Sequence, residues 1–102
     1  MELKVFGRPT CQVCKQAMEK INYFLDKWEY QGKVSLNYFD MDTMDGLAEG
    51  AFYEVFEIPT TVLLSTGDRE MERWIKRPPL SKELKPFLDK IIKGKSDPDE
   101  ED

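Results

Sequence analysis

Apolar residues recur at steps of three and four across residues 11–30, between a short stretch rich in strand formers and one that alternates at steps of two, so the pattern changes on either side of this segment. ELKVFG, 2–7, is rich in strand formers and is closed by Gly7 and Pro9, which predicts a short strand. Cys14, Ala17, Met18, Ile21, Phe24, Leu25 and Trp28 then fall on one stripe, predicting a helix from Cys11 to Tyr30 that stops at Gly32. VSLNYFD, 34–40, alternates Val34, Leu36 and Tyr38 toward one face and reads as a second strand. Met44, Leu47, Ala48, Ala51, Phe52 and Val55 set a second helical stripe over 43–56.

IPTTVLL, 58–64, is a β-branched run introduced by Pro59 and predicts a buried strand. STGD, 65–68, is a turn, and REMERWIK, 69–76, alternates as an edge strand does. A third helix follows Ser81, with Leu84, Phe87, Leu88, Ile91 and Ile92 as its buried positions. Pro86 lacks an N–H and crowds the turn before it, so either this helix starts nearer Leu84 or its first turns are irregular. Phe24, Trp28 and Phe52 lie on apolar stripes and are expected in the core. Trp74 falls on the strand face opposite Met71, Arg73 and Ile75, and is expected to be partly exposed, with partner docking as its alternative use.

The order is therefore β-α-β-α-β-β-α. A helix between the first two strands requires a right-handed parallel crossover, whereas the short turn at 65–68 makes the last two strands an antiparallel hairpin. The expected class is α/β, a mixed four-stranded sheet flanked by helices.

At 102 residues the chain fits one domain, and its 40% apolar and 12% aromatic content is ordinary for a globular protein. No apolar run approaches the roughly 20 residues of a membrane span, so no membrane segment is expected. MELKVFGRPT lacks a basic leader and an apolar core of the kind that directs export, which makes a cytoplasmic setting the expectation. The net charge of −5 is uneven: GKSDPDEED, 94–102, holds five acids and one lysine, leaving 14 basic and 15 acidic residues in 1–93. We therefore expect a nearly neutral domain over 1–93 and an acidic disordered tail over 94–102. Such a domain carries no basic footprint for nucleic acid. The absence of histidine excludes Ser-His and Cys-His nucleophile pairs and any histidine-ligated metal.

Both cysteines lie in CQVC, 11–14, where a strand ends and a helix begins. Amide N–H groups in a first helical turn lack intrahelical partners and the helix dipole adds positive charge there, so thiols at such positions titrate at about 3.5–7.5. Arg8 and Lys15 add cations nearby. One helical turn separates the two Cβ atoms by about 5–6 Å, close to disulfide range. Unequal roles follow: Cys11, at the tip, attacks a substrate disulfide, and Cys14, on the buried stripe, resolves the mixed disulfide. Gln12 and Val13 help set the potential. Two other readings remain at this point. A structural disulfide across so short a loop would contribute only about 2 kcal/mol and would be reduced in the expected compartment. A zinc or iron-sulfur site needs four ligands, and two cysteines supply half, so it would take two chains or an external thiol.

VFGRPTCQVCK resembles the strand, basic residue and active-site cysteines of a glutaredoxin. EIPTTVLLSTGD and LSKELKPFLD resemble the second half of a thioredoxin, and these segments with the order of elements span about 1–93. The chain begins at the active-site strand, as glutaredoxins do. The resemblance, to the thioredoxin-like superfamily, implies a cis bond at Ile58–Pro59 facing the CxxC, where an extended substrate docks on backbone groups that a strand would otherwise pair. It implies Cys11 and Cys14 as catalytic residues and Arg8, Thr10, Gln12, Ile58, Pro59 and Thr60 as substrate-binding ones. There are two departures. IKRPPLS, 75–81, stands where glutaredoxins carry the Gly-Gly-Asp-like segment that holds glutathione, leaving Lys76 or Arg77 as the candidate for a substrate carboxylate and a solvated edge charge as the plainer explanation. Val5 stands where thioredoxins carry a buried acid, and Lys4 cannot replace that base, so proton transfer to Cys14 must use water or another group.

The expectation is a monomeric dithiol oxidoreductase reducing protein or low-molecular-weight disulfides, with no cofactor beyond its cysteine pair. Glutathione, as co-substrate, or a thioredoxin-reductase-like flavoprotein would supply electrons. The competing readings are a non-catalytic binding module of the same fold and a dimer sharing an iron-sulfur cluster or zinc through the CxxC.

Overall fold

A computed structural model describes residues 1–93, and the acidic stretch 94–102 lies outside the described residues. Seven elements occur in the expected order: β1 (Glu2–Gly7), α1 (Gln12–Lys27), β2 (Ser35–Asp40), α2 (Met44–Phe52), β3 (Thr60–Leu64), β4 (Glu70–Ile75) and α3 (Ser81–Ile92). The sheet order is β2-β1-β3-β4. β1 runs parallel to β2, as a helical crossover requires, and antiparallel to β3, while β3 and β4 form the expected hairpin. One row of the register passes from Tyr38 through Val5 and Thr61 to Trp74. The inner strands β1 and β3 are covered on both faces, which is why TTVLL, 60–64, is buried at every position.

The two faces are filled differently. Leu3, Val5 and Leu63 meet Ala17, Ile21 and Leu25 of α1 and Leu84 and Leu88 of α3 in the larger core. Phe6, Val62 and Leu64 meet Val55, with Tyr53, Phe39 and Met41 packed alongside, on the face that α2 covers. Lys4 also points to the α2 face, where its ammonium bonds Glu49, lies 3.7 Å from Glu2 and sits over the Phe39 and Tyr53 rings. Burial works to lower its pKa, but the Glu49 hydrogen bond and the surrounding negative charges outweigh that and raise it.

Four details differ from the sequence expectations. α1 ends at Lys27 rather than Tyr30, because Glu29 adopts a left-handed φ of 63° and the Tyr30 N–H bonds the Leu25 carbonyl at 2.8 Å, closing a Schellman motif three residues before Gly32. Trp74 is buried, packed edge-on against Phe87 of α3, instead of being partly exposed. α3 starts at Ser81 with Pro86 inside it; Pro86 and Lys82, whose carbonyl loses its donor, are both exposed, so water can serve that carbonyl. Its entry is held by Glu83, whose carboxylate accepts the Leu80 N–H at 2.9 Å and two bonds from the Arg77 guanidinium at 2.8 and 2.9 Å.

The fourth correction concerns α2. Its apolar stripe faces outward: Phe52, expected in the core, is 77% exposed, and Met44 and Leu47 are exposed with it. The buried positions are Gly46 and Gly50. A Cβ on Gly46 would come within 1.8 Å of the Asp40 carbonyl oxygen, so glycine lets this helix lie directly on the backbone leading into it. The helix expected over 43–56 spans only Met44–Phe52, and Val55, placed on its stripe by spacing, lies beyond the helix and is buried, so periodicity gave neither the end of α2 nor the side that meets the sheet.

Candidate active site

The β1 strand delivers the chain to a short loop, Arg8–Thr10, closed by a bond from the Cys11 N–H to the Arg8 carbonyl at 3.1 Å. Cys11 then caps α1 with an extended backbone, φ −92° and ψ 110°, and its sulfur accepts the Cys14 N–H at 3.2 Å. A cysteine thus occupies the position normally held by serine, threonine or aspartate, and directs its sulfur at the unpaired amides of the first turn. Cys14 lies one turn further on, with the Cα atoms 5.2 Å apart and the two sulfurs at disulfide distance. Cys11 is half-buried and Cys14 fully buried, so the two sulfurs differ in access as the sequence predicted.

Gly7 makes room for the pair. A Cβ there would lie 2.7 Å from both the Cβ and Sγ of Cys14 and 3.2 Å from the Tyr38 hydroxyl. Both groups surround one point, which puts the phenol oxygen and the Cys14 sulfur no more than about 6 Å apart. Tyr38 borders a mostly apolar cleft with Pro9, Lys15, Met18 and Glu19, on the α1 side of the loop. Burial first, then the charges of Asp40 and Asp42, push its phenol above the ordinary tyrosine value, so it remains a neutral donor. The sequence reading had placed Tyr38 on the face of Val34 and Leu36 without connecting it to the cysteines. The signal was its pairing opposite Val5, two residues before Gly7.

Behind the cysteines the part of the row beyond Tyr38 has one hydroxyl among its side chains. Val5, Thr61 and Trp74 are buried, and the Thr61 hydroxyl is buried without a hydrogen-bond partner. On the other side Phe6 pairs with Thr60, and continuing that antiparallel register sets Pro59 beside Gly7. The Ile58–Pro59 bond is cis. Pro59 is buried and its carbonyl accepts the Lys76 N–H, leaving the half-buried Ile58 as the backbone outside the paired register. Thr60 is buried too, its hydroxyl donating to the Glu57 carbonyl at 2.6 Å, so it shapes the loop before Pro59. Thr10 and Gln12 are exposed next to Cys11. Arg8 is exposed and bonds Asp42 at 2.9 Å, tying this loop to the segment leading into α2. Of the two candidates for a substrate carboxylate, Arg77 is engaged twice by Glu83, while Lys76, at a left-handed φ of 67°, is exposed and makes no ion pair among the described residues. Among the described residues no group of three or more His, Cys, Asp or Glu is arranged to hold a metal ion.

No protein-family model matches the sequence, and no curated protein is similar to it in sequence. Solved structures match it in fold. Thioredoxin 1 from Thermosipho africanus superposes with a TM-score of 0.70 at 21% identity, over 93% of this chain and all of that one. Oxidised thioredoxin O2 from Arabidopsis thaliana gives 0.68 at 16% identity, over 88% of this chain and 73% of its own. The chain has the thioredoxin fold. The germline-specific thioredoxin Deadhead from Drosophila adds a third superposition, with a TM-score of 0.65 at 21% identity, over 88% of this chain and 79% of that one. Because β1 and β3 are antiparallel neighbours at the centre of the sheet, the junction after β1 and the loop before β3 lie at the same end of these strands, which is where Cys11 and Pro59 are found.

Proposed function

We propose that this protein is a thiol-disulfide oxidoreductase that reduces disulfides through Cys11 and Cys14. The observation that carries the reading is Cys11 as the cap of α1, its sulfur accepting the Cys14 amide, with Cys14 buried one turn behind at disulfide distance. The amide bond and the helix dipole both favour the thiolate of Cys11 in the reduced protein.

The reaction balances as two exchanges. The Cys11 thiolate attacks one sulfur of a substrate disulfide, forming a mixed disulfide and releasing the other substrate sulfur as a thiolate. Cys14 then loses its proton and attacks the Cys11 sulfur, freeing the second substrate thiolate and leaving the Cys11–Cys14 disulfide. Two electrons pass to the substrate, and an external dithiol or thiol returns them. Ile58 and Pro59 form the docking edge, with Arg8, Thr10 and Gln12 around the thiol and Thr60 holding the loop. A thiol-reducing cytoplasm suits this direction of electron flow, and residues 1–93 acting as a monomeric domain suffice for it.

Protein disulfides are the better substrates. Arg77 is committed to Glu83, and IKRPPLS, 75–81, lacks a glycine pair to bring backbone amides against glutathione, which favours a thioredoxin-type cycle with a flavoprotein reductant. Cys14→Ser decides this. A thioredoxin-type enzyme stalls as a covalent complex with a protein substrate, visible on non-reducing gels, whereas a glutathione-dependent one keeps removing glutathione from mixed disulfides. Retention of alkylation-resistant Cys11 below pH 7, with no trapped complex, refutes the catalytic reading altogether.

A further inference from the structure

The outward face of α2 is left unused by the redox chemistry. Met44 is 86% exposed, Leu47 53% and Phe52 77%, and they sit at helical spacing on one side; Phe56, just beyond, is 86% exposed. Isolated exposed apolar residues are ordinary, but four large ones within thirteen positions mark an interaction surface. The same segment is strongly charged in one sense. Residues 40–57 contain six carboxylates and no lysine or arginine, although 1–93 as a whole is nearly balanced. Asp42 and Glu49 are paired with Arg8 and Lys4, while Asp45, Glu54 and Glu57 are exposed and make no ion pair among the described residues.

We propose that this face docks a partner polypeptide segment in which apolar residues alternate with lysine or arginine, and that this segment flanks the disulfide to be reduced; the second half of the statement rests on the redox reading. Charge selects the occupant. A second copy seated on the same face would bring carboxylates of one sign together, and an anionic lipid surface would be repelled, whereas a cationic apolar segment satisfies both properties of the surface. Position connects the face to the thiol. The Met41 N–H bonds the Gly7 carbonyl at 2.8 Å and Arg8 bonds Asp42, stitching the start of the segment to the loop carrying Cys11. At its other end a cleft lined by Glu54, Phe56, Glu57, Thr60, Arg73 and Ile75 opens at the start of β3, next to Pro59, with the Arg73 guanidinium neutralised by the Glu70 carboxylate and held by the Tyr53 and Glu54 carbonyls. A segment lying along α2 is thereby led to the edge where Cys11 emerges.

The test uses 18-residue Leu/Lys, Leu/Glu and Ser/Lys peptides, in cysteine-free form for binding by fluorescence anisotropy and with one cysteine as a thionitrobenzoate mixed disulfide for reduction. The Leu/Lys peptide should bind at least tenfold tighter than either other peptide and lose most of that margin when salt is raised from about 0.05 to 0.5 M. Leu47→Ser with Phe52→Ser, both at exposed positions, should remove about tenfold of the binding and leave reduction of the small disulfide dithiobis(nitrobenzoate) unchanged. Equal binding of the three peptides overturns the proposal, as does equal binding of the Ser/Lys and Leu/Lys peptides, which would mean charge alone. A dimer in sedimentation that Phe52→Ser abolishes also overturns it, assigning the face to a second copy, and so does equally tight adsorption to phosphatidylserine vesicles. Reduction without selective binding sinks the docking proposal and leaves the redox reading intact; selective binding without reduction of any disulfide does the reverse.

Discussion

Replacing Gly7 by alanine tests whether the packing around Cys14 is as close as the geometry states. The new methyl group would lie 2.7 Å from the Cβ and Sγ of Cys14, a separation that requires something to move. On one side is the buried Cys14, anchored in α1, and on the other is the Tyr38 hydroxyl at 3.2 Å, so neither neighbour yields freely. Overpacking of this kind costs about 1–3 kcal/mol, offset in part by about 0.5–1 kcal/mol gained when a strand glycine becomes alanine. The net loss of about 1–2 kcal/mol corresponds to a melting point lower by about 5–15 °C for a domain of this size. Activity should fall further than stability, because a Cys14 sulfur displaced by a few tenths of an ångström attacks the mixed disulfide out of line; about a tenfold slower resolving step is expected. Two matched variants calibrate the measurement. Gly32→Ala meets nothing within 4 Å and should be neutral or slightly stabilising, while Gly46→Ala would drive a methyl into the Asp40 carbonyl and should unfold the protein outright. Thermal denaturation of the three proteins, with stopped-flow reduction of a protein disulfide for those that fold, gives the order. A Gly7→Ala protein as stable and as fast as Gly32→Ala would refute the close packing on which the resolving role of Cys14 rests.

Glu29→Gly should stabilise the domain by about 1 kcal/mol in urea titrations, because glycine takes the left-handed φ of 63° at the end of α1 without the Cβ penalty. The Arg77 bonds, with the Leu80 amide, hold the Glu83 carboxyl down to about 2; a depressed carboxyl contributes stability that is complete above its unfolded value of 4.5 and lost as pH falls through about 2, so Glu83→Gln should remove the part of the acid transition lying between those values. Tyr38→Phe removes a neutral donor within about 6 Å of the Cys14 sulfur and should slow resolution about fivefold while moving the rate profile to higher pH, with the melting point nearly unchanged; an unaltered profile shows that the phenol does not stabilise the Cys14 thiolate.

How much of this was legible in advance follows from what each residue answers to. The element order, the parallel crossover and the hairpin were readable because they depend on period and loop length, which are local. The CQVC pair was readable for the same reason: a cap position and a spacing of three are properties of one helix. Misreadings arose where a second element decided the outcome. Trp74 is buried by Phe87, thirteen residues later, and Tyr30 ends α1 through a bond back to Leu25 that no glycine announces. Tyr38 came to the site only through pairing with a strand more than thirty residues earlier. Pro86, awkward by propensity, is tolerated because its carbonyl partner faces water.

The orientation of α2 is the misreading with the most physical content, because it reverses the usual allocation of large and small residues. A surface helix normally directs its bulk at the sheet and holds it about 10 Å away. Gly46 and Gly50 remove that spacing, and α2 settles against the Asp40 backbone at one turn and the Met41 side chain at the next. Burial on this face is then left to Phe6, Val55, Val62 and Leu64 and to the Lys4–Glu49 pair, whose desolvation is offset by the Glu2 carboxylate and two aromatic rings. Met44 stands almost wholly in water, Leu47 is half-exposed and Phe52 touches the domain edge-on at Tyr53, so burial in the core does not explain why all three are apolar. Exposed bulk combined with the exposed carboxylates of Asp45, Glu54 and Glu57, in a segment bonded to the loop before Cys11, is what the proposed docking role accounts for.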